Sequence, residues 1–444
     1  MFDYSVLLYK KLWMVKKSNK IFCVGLGKLG LIFSFILADK KFRIYGYDVD
    51  KKIKKNIDNN KSDTEPHLNR LIEKNKQRFV FESNFNKAVD QTTGVFLIVP
   101  TPSKKNDEFD NKYIINCLNK IGPHLKSKKK YLINITSTVN PGSCNHFISY
   151  IEKKFNVKHG REFIVTYNPH LIALGSIYND VLNSDMVIVG SDLVEGHKSL
   201  KNIYKKIYNT KIDKLKFLNL RESELTKIAI NSYITMKISF TNQISEISDK
   251  IKNIDTSKIL HTIGFDKRIG HNYLSLGAMF AGPCFPRDNK NFAKFLKRNS
   301  ITNILPKSVD AINNRQFDRY IKIYNGLKKE IKKNHTIGIC GLSYKDNTTL
   351  TTHSPGIKLL NYFKNKKNTF VYDSNFNNSN QVNNMETNLK EFFKKSDIIF
   401  ICYKDKNFKK IELYKTNKKK IIVDLWNYVF SKSKKIIIKK VGIS

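Results

Sequence analysis

Long apolar runs are missing from this chain of 444 residues. No stretch approaches the ~20 apolar residues that span a membrane, so no membrane helix is expected. The six cysteines (Cys23, Cys117, Cys144, Cys284, Cys340 and Cys402) are scattered, with no Cys-x-x-Cys pair and no histidine cluster. That spacing argues against a zinc or other metal site and against a disulfide framework. Thiols so distributed suit a reducing, cytoplasmic setting. Acidic residues are scarce, 38 against 80 Lys and Arg, for a formal charge of +42. An excess of that size suggests nucleic acid. Here it is mostly lysine, spread along the whole chain among many Asn and Ile, which reads as a bias at exposed positions and not as a nucleic-acid partner. Its consequence is steering of anionic substrates. The opening "MFDYSVLLYKKLWMVKKSNK" has neither a secretory apolar core nor a small-residue cleavage site. Met14 offers a second start, and residues 1–19 read as an N-terminal arm.

What the chain has is enough apolar residues, 41%, to bury sizeable cores. Its length predicts two or three domains. "KIFCVGLGKLGLIFSFILADKKFRIYGYDVD" (20–50) lays out a strand, a glycine turn, an apolar helix and a second strand ending in Asp48. Gly25, Gly27 and Gly30 permit a tight turn, close approach to a pyrophosphate and close packing of helix on strand. With Leu29 they read as the phosphate end of a dinucleotide site, where the helix start offers unpaired N–H groups, the alternative being a glycine turn in a parallel sheet with no ligand. Asp48 is placed to accept from a ribose, and its charge favours NAD over NADP. Further apolar segments, "GVFLIVPTP", "KYLINITSTVNPGS", "EFIVTYNPH" and "DMVIVG", read as more parallel strands. Thr101 and Thr138 follow two of them. Each is either a site residue at a strand's carboxyl end or the cap of the next helix.

"ESELTKIAINSYITMKISFTNQISEISDKI" (222–251) contains no Pro or Gly and repeats apolar residues at helical spacing. It predicts a long helix with more than one apolar face, buried between domains or between subunits. Lys227 and Asn231 are i and i+4 and share a face. They form either a polar pair aimed at a ligand or an ordinary surface Lys beside a helix Asn. "AGPCFPRD" (281–288) places Cys284 just ahead of a helix that opens with proline. A helix N-terminus stabilises a thiolate, whereas a lone cysteine is otherwise a buried structural thiol. Both readings stand on these residues alone. Asp288 falls in that helix's first turn. From "HTIGICGLSYKDNTTLTTHSPGIKLL" onward, strand, glycine turn and helix recur. The fold class expected is α/β, with two Rossmann-like doubly wound domains joined by a long central helix. The expected division is a cofactor domain over 20–205, a central helical domain carrying Cys284 over 206–320, and a C-terminal α/β domain over 321–444.

In order, "VGLGKLG", "VPTP", "STVNPGS", "YNPHLIALGS", "ELTKIAINSYITMKISFTNQISE", "RIG", "GPCFPRD", "GLSYKDNT" and "SPGIKLL" resemble the UDP-glucose/GDP-mannose dehydrogenase family from about residue 20 to 427. The resemblance implies an NAD-dependent, four-electron oxidation of a nucleotide sugar at C6, UDP-glucose to UDP-glucuronate first among them, in support of polysaccharide synthesis. It makes Cys284 the nucleophile that passes through a thiohemiacetal and a thioester. Lys227 and Asn231 become oxyanion donors, and Asp288 and Thr138 orient water. Arg268 reaches the substrate of a neighbouring subunit in a homodimer or larger homo-oligomer. Tyr344 and Lys345 contact the diphosphate sugar, Phe280 and Gly282 line its pocket, and Leu171, Ile172, Ala173 and Leu174 belong to a loop, 171–176, over the sugar.

The chain departs from the family at several positions. His170 stands where a glutamate base is usual, and imidazole can take a proton near neutral pH. Leu174 replaces a second glutamate. Met279 and Ala281 replace glycines, and Thr352 replaces an arginine. The alternatives are the same chemistry on a UDP-N-acetylhexosamine or GDP-mannose, or a catalytically impaired nucleotide-sugar-binding relative.

Overall fold

The computed structural model describes residues 19–60, 65–209, 212–376 and 384–444. The N-terminal arm, through residue 18, lies outside them. Contacts divide the chain into two units, residues 1–228 and 229–444.

The first unit is built on an eight-stranded sheet. In chain order it holds β1 (Lys20–Val24), α1 (Lys28–Asp39), β2 (Arg43–Tyr47), α2 (Leu68–Asn75), β3 (Phe79–Phe81), β4 (Gly94–Leu97), β5 (Tyr131–Ile135), α3 (Ser143–Phe155), β6 (Phe163–Tyr167), α4 (Ile177–Leu182), β7 (Val187–Gly190) and β8 (Leu215–Leu218). Across the sheet the order is β3-β2-β1-β4-β5-β6-β7-β8. Alternation along β1 feeds two cores: Ile21 and Cys23 pack on one face, Phe22 and Val24 on the other. β1 to β6 are parallel. β7 corrects the expectation of a further parallel strand, because it meets β6 antiparallel, through Tyr167 and Gly190. A parallel return needs a crossover that spans the sheet. The segment between β6 and β7 holds only α4, six residues, or about 9 Å of helix.

The helix α5 (Leu220–Ile247) starts in the first unit and continues into the second. Its second-unit part does not bury the apolar positions that the sequence pattern favours. Small polar residues, Ser232, Thr235, Ser239, Asn242 and Ser245, are buried, while Tyr233, Phe240 and Ile247 are exposed.

The second unit continues with α6 (Phe285–Arg298) and α7 (Ile304–Leu327), then β9 (Ile337–Cys340), α8 (Pro355–Phe363), β10 (Thr369–Tyr372), β11 (Ile398–Ile401), β12 (Lys420–Asp424) and β13 (Ile436–Lys440). Its five strands are all parallel, in the order β10-β9-β11-β12-β13. The β9-to-α8 passage repeats the β1-to-α1 design. Gly341 has φ of +106°, and a Cβ on Gly356 would sit 2.0 Å from the Gly341 carbonyl oxygen. The carboxylate ending the next strand, Asp373, accepts 2.7 Å bonds from the Leu342 and Ser343 N–H groups.

Candidate active site

In the first unit the glycine turn divides its work among three positions. Gly25 has φ of +90°, and a Cβ on it would lie 2.6 Å from the Ile98 carbonyl oxygen. A Cβ on Gly30 would lie 1.8 Å from the Gly25 carbonyl oxygen, so only glycine lets α1 pack this close to the turn. Gly27 caps α1, and nothing lies within 4 Å of a Cβ placed there. Backbone N–H groups at the helix start therefore face room for a pyrophosphate. Leu29 is half-buried against the core. Asp48, just past β2, accepts from Leu26 N–H at 2.6 Å and Asp50 N–H at 2.9 Å, which fixes its carboxylate beside the turn. These residues fit NAD.

Thr101 and Thr138, beyond the carboxyl ends of adjacent strands β4 and β5, meet through the Thr101 hydroxyl, which donates to the Thr138 carbonyl oxygen at 2.8 Å. In α5, the Lys227 ammonium donates to the His170 carbonyl oxygen at 3.1 Å. The His170 ring is edge-on to Phe33, with centroids 4.4 Å apart, and its Nε2 is inaccessible and has no hydrogen-bond partner among the described residues. Loss of hydration, and secondarily the Lys227 charge, push its pKa down to about 3. In this fold the ring is a weaker base than a free imidazole. Leu174 and Ile172 turn onto the core, so the position of the family's second glutamate is spent on packing.

In the second unit Cys284 is the N-cap of α6 and is exposed, whereas the other five cysteines are buried. Burial pushes the thiols of Cys23 and Cys117 up to about 12 and those of Cys144, Cys340 and Cys402 upward as well. Chemistry that needs an accessible sulfur therefore falls to Cys284. One turn on, Asp288 is 0% exposed. Its Oδ2 accepts from Asn231 Nδ2 at 2.6 Å and its Oδ1 from Arg287 Nε at 2.8 Å. Asn231 and the start of α6 are thereby fixed to each other.

Ahead of Cys284, Gly282 has φ of +84°, and a Cβ there would lie 2.8 Å from the Tyr344 ring. The Gly282 N–H donates to the Thr352 carbonyl oxygen at 2.8 Å. The position of the missing arginine thus contributes a backbone acceptor. Lys345 Nζ lies 5.9 Å from the Tyr344 ring centroid. Met279 and Phe280 are held by α7, whose Tyr320 hydroxyl and Asn313 carbonyl accept their N–H groups at 3.0 and 2.7 Å. Phe280 is buried with this anchor. Arg268 is not drawn inward: it pairs with Asp266 at 2.6 Å and its side chain is 89% exposed.

Two carboxylates escaped the sequence reading. Glu224, fully buried, accepts from Gly142 N–H at 2.5 Å and Cys144 N–H at 2.7 Å at the start of α3, and burial raises its pKa. An acid near the start of a helix ordinarily signals compensation of that helix's own dipole, which hid its role for another helix. Glu65 is 6% exposed and binds loop 171–176 at Gly175. Its partner is 110 residues away, and nothing local announces it.

Comparison with known proteins agrees with this geometry. Residues 19–208 match the NAD binding domain of the UDP-glucose/GDP-mannose dehydrogenase family, 221–315 its central domain and 338–431 its UDP binding domain. The chain is 31% identical to UDP-glucose 6-dehydrogenase of Rickettsia typhi over 94% of this chain and 96% of that protein. It is 27% identical to UDP-glucose 6-dehydrogenase TuaD of Bacillus subtilis over 77% and 73%. A solved UDP-glucose dehydrogenase from Pyrobaculum islandicum shares the fold, with a TM-score of 0.84, 23% identity and coverage of 96% and 98%. The two Rossmann-like sheets and the glycine turn shaped for NAD are those of an NAD-dependent dehydrogenase, and the chain belongs to the UDP-glucose/GDP-mannose dehydrogenase family.

Proposed function

We propose that the protein oxidises C6 of UDP-glucose to the carboxylate of UDP-glucuronate, with Cys284 carrying the sugar between two oxidations. The observation that carries this reading is Cys284 itself, the exposed cysteine of the six, set at the N-cap of α6. NAD, which Gly25, Gly27, Gly30 and Asp48 would hold, would supply the hydride acceptor for both oxidations. The alcohol loses a hydride and a proton to give an aldehyde. The Cys284 sulfur adds to the aldehyde carbon and its proton goes to the carbonyl oxygen, giving a thiohemiacetal. Loss of a second hydride and a proton gives a thioester. Water then breaks the C–S bond, releasing the acid and restoring the thiol.

Lys227 and Asn231, four residues apart on α5, take the oxyanion-donor roles that the family resemblance gives them. One such donor is worth about 3–4 kcal/mol. Asp288 and Thr138 take the water-orienting roles that the family resemblance gives them. His170, too weakly basic to share that work, serves through its carbonyl, which holds the Lys227 ammonium. Tyr344 and Lys345 receive the diphosphate sugar. Among the described residues no helix is long and apolar enough to cross a membrane, and we place the reaction in the cytoplasm, supplying an acidic sugar for polysaccharide synthesis.

The working form is a homodimer. Exposed Tyr233, Phe240 and Ile247 recur every seven residues along α5 and form the apolar stripe that a second copy would cover. A monomer mass by light scattering at assay concentration would overturn it. The central test is a panel of UDP-glucose, UDP-N-acetylmannosamine and GDP-mannose with NAD, followed at the NADH absorbance. UDP-glucose is expected to be the best substrate and to yield two NADH per sugar. One NADH per sugar, or preference for another member of the panel, would replace the reading.

A further inference from the structure

Loop 171–176 is fastened by carboxylates that lie outside it. Glu65, just ahead of α2, places Oε1 and Oε2 at 2.8 and 2.9 Å from the N–H of Gly175, and Oε2 at 3.5 Å from that of Ile177. Gly175 has φ of +85°, the left-handed conformation that glycine adopts readily. Asp180 of α4 takes the other half of the turn, accepting from Ala173 N–H at 2.7 Å and the Ser176 hydroxyl at 2.8 Å. Two residues after Glu65, His67 (φ of +67°) lays its ring 4.9 Å from that of Tyr178 on α4. Ile172 and Leu174 are half-buried against the core, so the loop has an inward apolar side as well.

A carboxylate that is 6% exposed has left its water behind. It is tolerated where backbone N–H groups replace that water, and the same bonds resist movement of the loop that donates them. A solvated side chain would gain little by reaching 110 residues along the sequence to one N–H group. A buried one, bonded through both oxygens, makes the conformation of the loop depend on it.

We infer that Glu65 is a positioning residue that latches loop 171–176 in the shape in which it covers the nucleotide sugar. The inference rests on the proposed function for the identity of what the loop covers, but the latch itself is a property of the first unit alone. Glu65 is assigned no contact with a reacting atom. Its contribution is to remove the ordering cost that a loose loop would meet on binding sugar.

The test compares Glu65→Ala and Glu65→Gln with the unmodified protein. Glu65→Ala is expected to raise the KM for the nucleotide sugar about tenfold, the size of one lost charge-assisted hydrogen bond, with the KM for NAD unchanged. Glu65→Gln, which keeps one acceptor oxygen, should fall between. In parallel, thermolysin cleavage within 171–176, located by mass spectrometry, should be faster in Glu65→Ala than in the unmodified protein. An unchanged sugar KM with unchanged cleavage overturns the latch, as does an equal rise in both KM values, which marks a general folding role. If the unmodified protein makes no NADH from any nucleotide sugar, the dehydrogenase reading falls. The cleavage comparison then decides the latch: faster cleavage upholds it and equal cleavage sinks it. Should Glu65→Ala not fold, the same two readouts on Glu65→Gln carry the decision.

Discussion

Asn231 donates from Nδ2 to Oδ2 of Asp288 across 2.6 Å, and this bond ties the middle of the long helix α5 to the first turn of the helix that Cys284 caps. Both side chains are buried. Removing the amide leaves a carboxylate short of one donor in a place water does not reach. Asn231→Ala is therefore expected to cost about 1–3 kcal/mol, seen in melting as a fall of about 2–4 °C per kcal/mol for a body of this size. Asp288→Asn keeps the shape but turns one acceptor into a donor facing Asn231 or Arg287, so it too should melt lower, while acyl-enzyme breakdown slows. Unchanged melting in Asn231→Ala would show that the bond is not formed in solution.

Cys284→Ser isolates the sulfur chemistry. Serine differs from cysteine by one atom, and the position is exposed, so the variant should fold like the parent. It carries no thiolate at neutral pH, and the thioester route closes. The expected result is the loss of steady turnover, with at most one NADH released per site in a rapid-quench or stopped-flow trace. Sustained two-NADH turnover would remove Cys284 from the mechanism.

Two glycines three residues apart should respond in opposite ways. A methyl on Gly30 meets the Gly25 carbonyl oxygen at 1.8 Å, and backbone must shift to admit it. Gly30→Ala should lose stability, by about 1–3 kcal/mol for overpacking. Gly27 has φ of −65°, and no atom lies within 4 Å of its added Cβ. Gly27→Ala should melt like the parent, yet bind NAD at least about tenfold more weakly, since the methyl enters the space a pyrophosphate needs. Calorimetric titration with NAD beside thermal melts separates the two effects. Equal NAD affinity in Gly27→Ala would move the pyrophosphate elsewhere.

What could be read from the sequence was whatever neighbours along the chain decide. The turn at Gly25, Gly27 and Gly30, the strand before it, Asp48 after it and the helix opening behind Cys284 each follow from local spacing. The direction of β7 did not, because it depends on how far the short α4 can carry the chain. Glu65 was silent for the same kind of reason: its partner at Gly175 is set by the fold and not by any nearby pattern. On the long helix, Ser239 and Ser245 face inward within the chain, held by the Val309 carbonyl and by Arg319 on α7. Their burial depends on hydrogen bonds supplied by another helix.

His170 makes stability depend on pH. Its pKa falls from an ordinary 6.5 in the unfolded chain to about 3 in the fold. Between those values the unfolded chain holds a proton that the folded protein refuses, so stability falls as pH is lowered through 6.5 and keeps falling toward 3. The slope from one such group approaches about 1.4 kcal/mol per pH unit. His170→Phe, which keeps an aromatic ring against Phe33 and cannot take a proton, should lose less stability than the parent in urea titrations stepped from pH 7 to pH 4. The gap should widen toward acid and close above pH 7. Parallel curves would mean that the imidazole reaches water and accepts its proton in the folded state, where it would be eligible as the base.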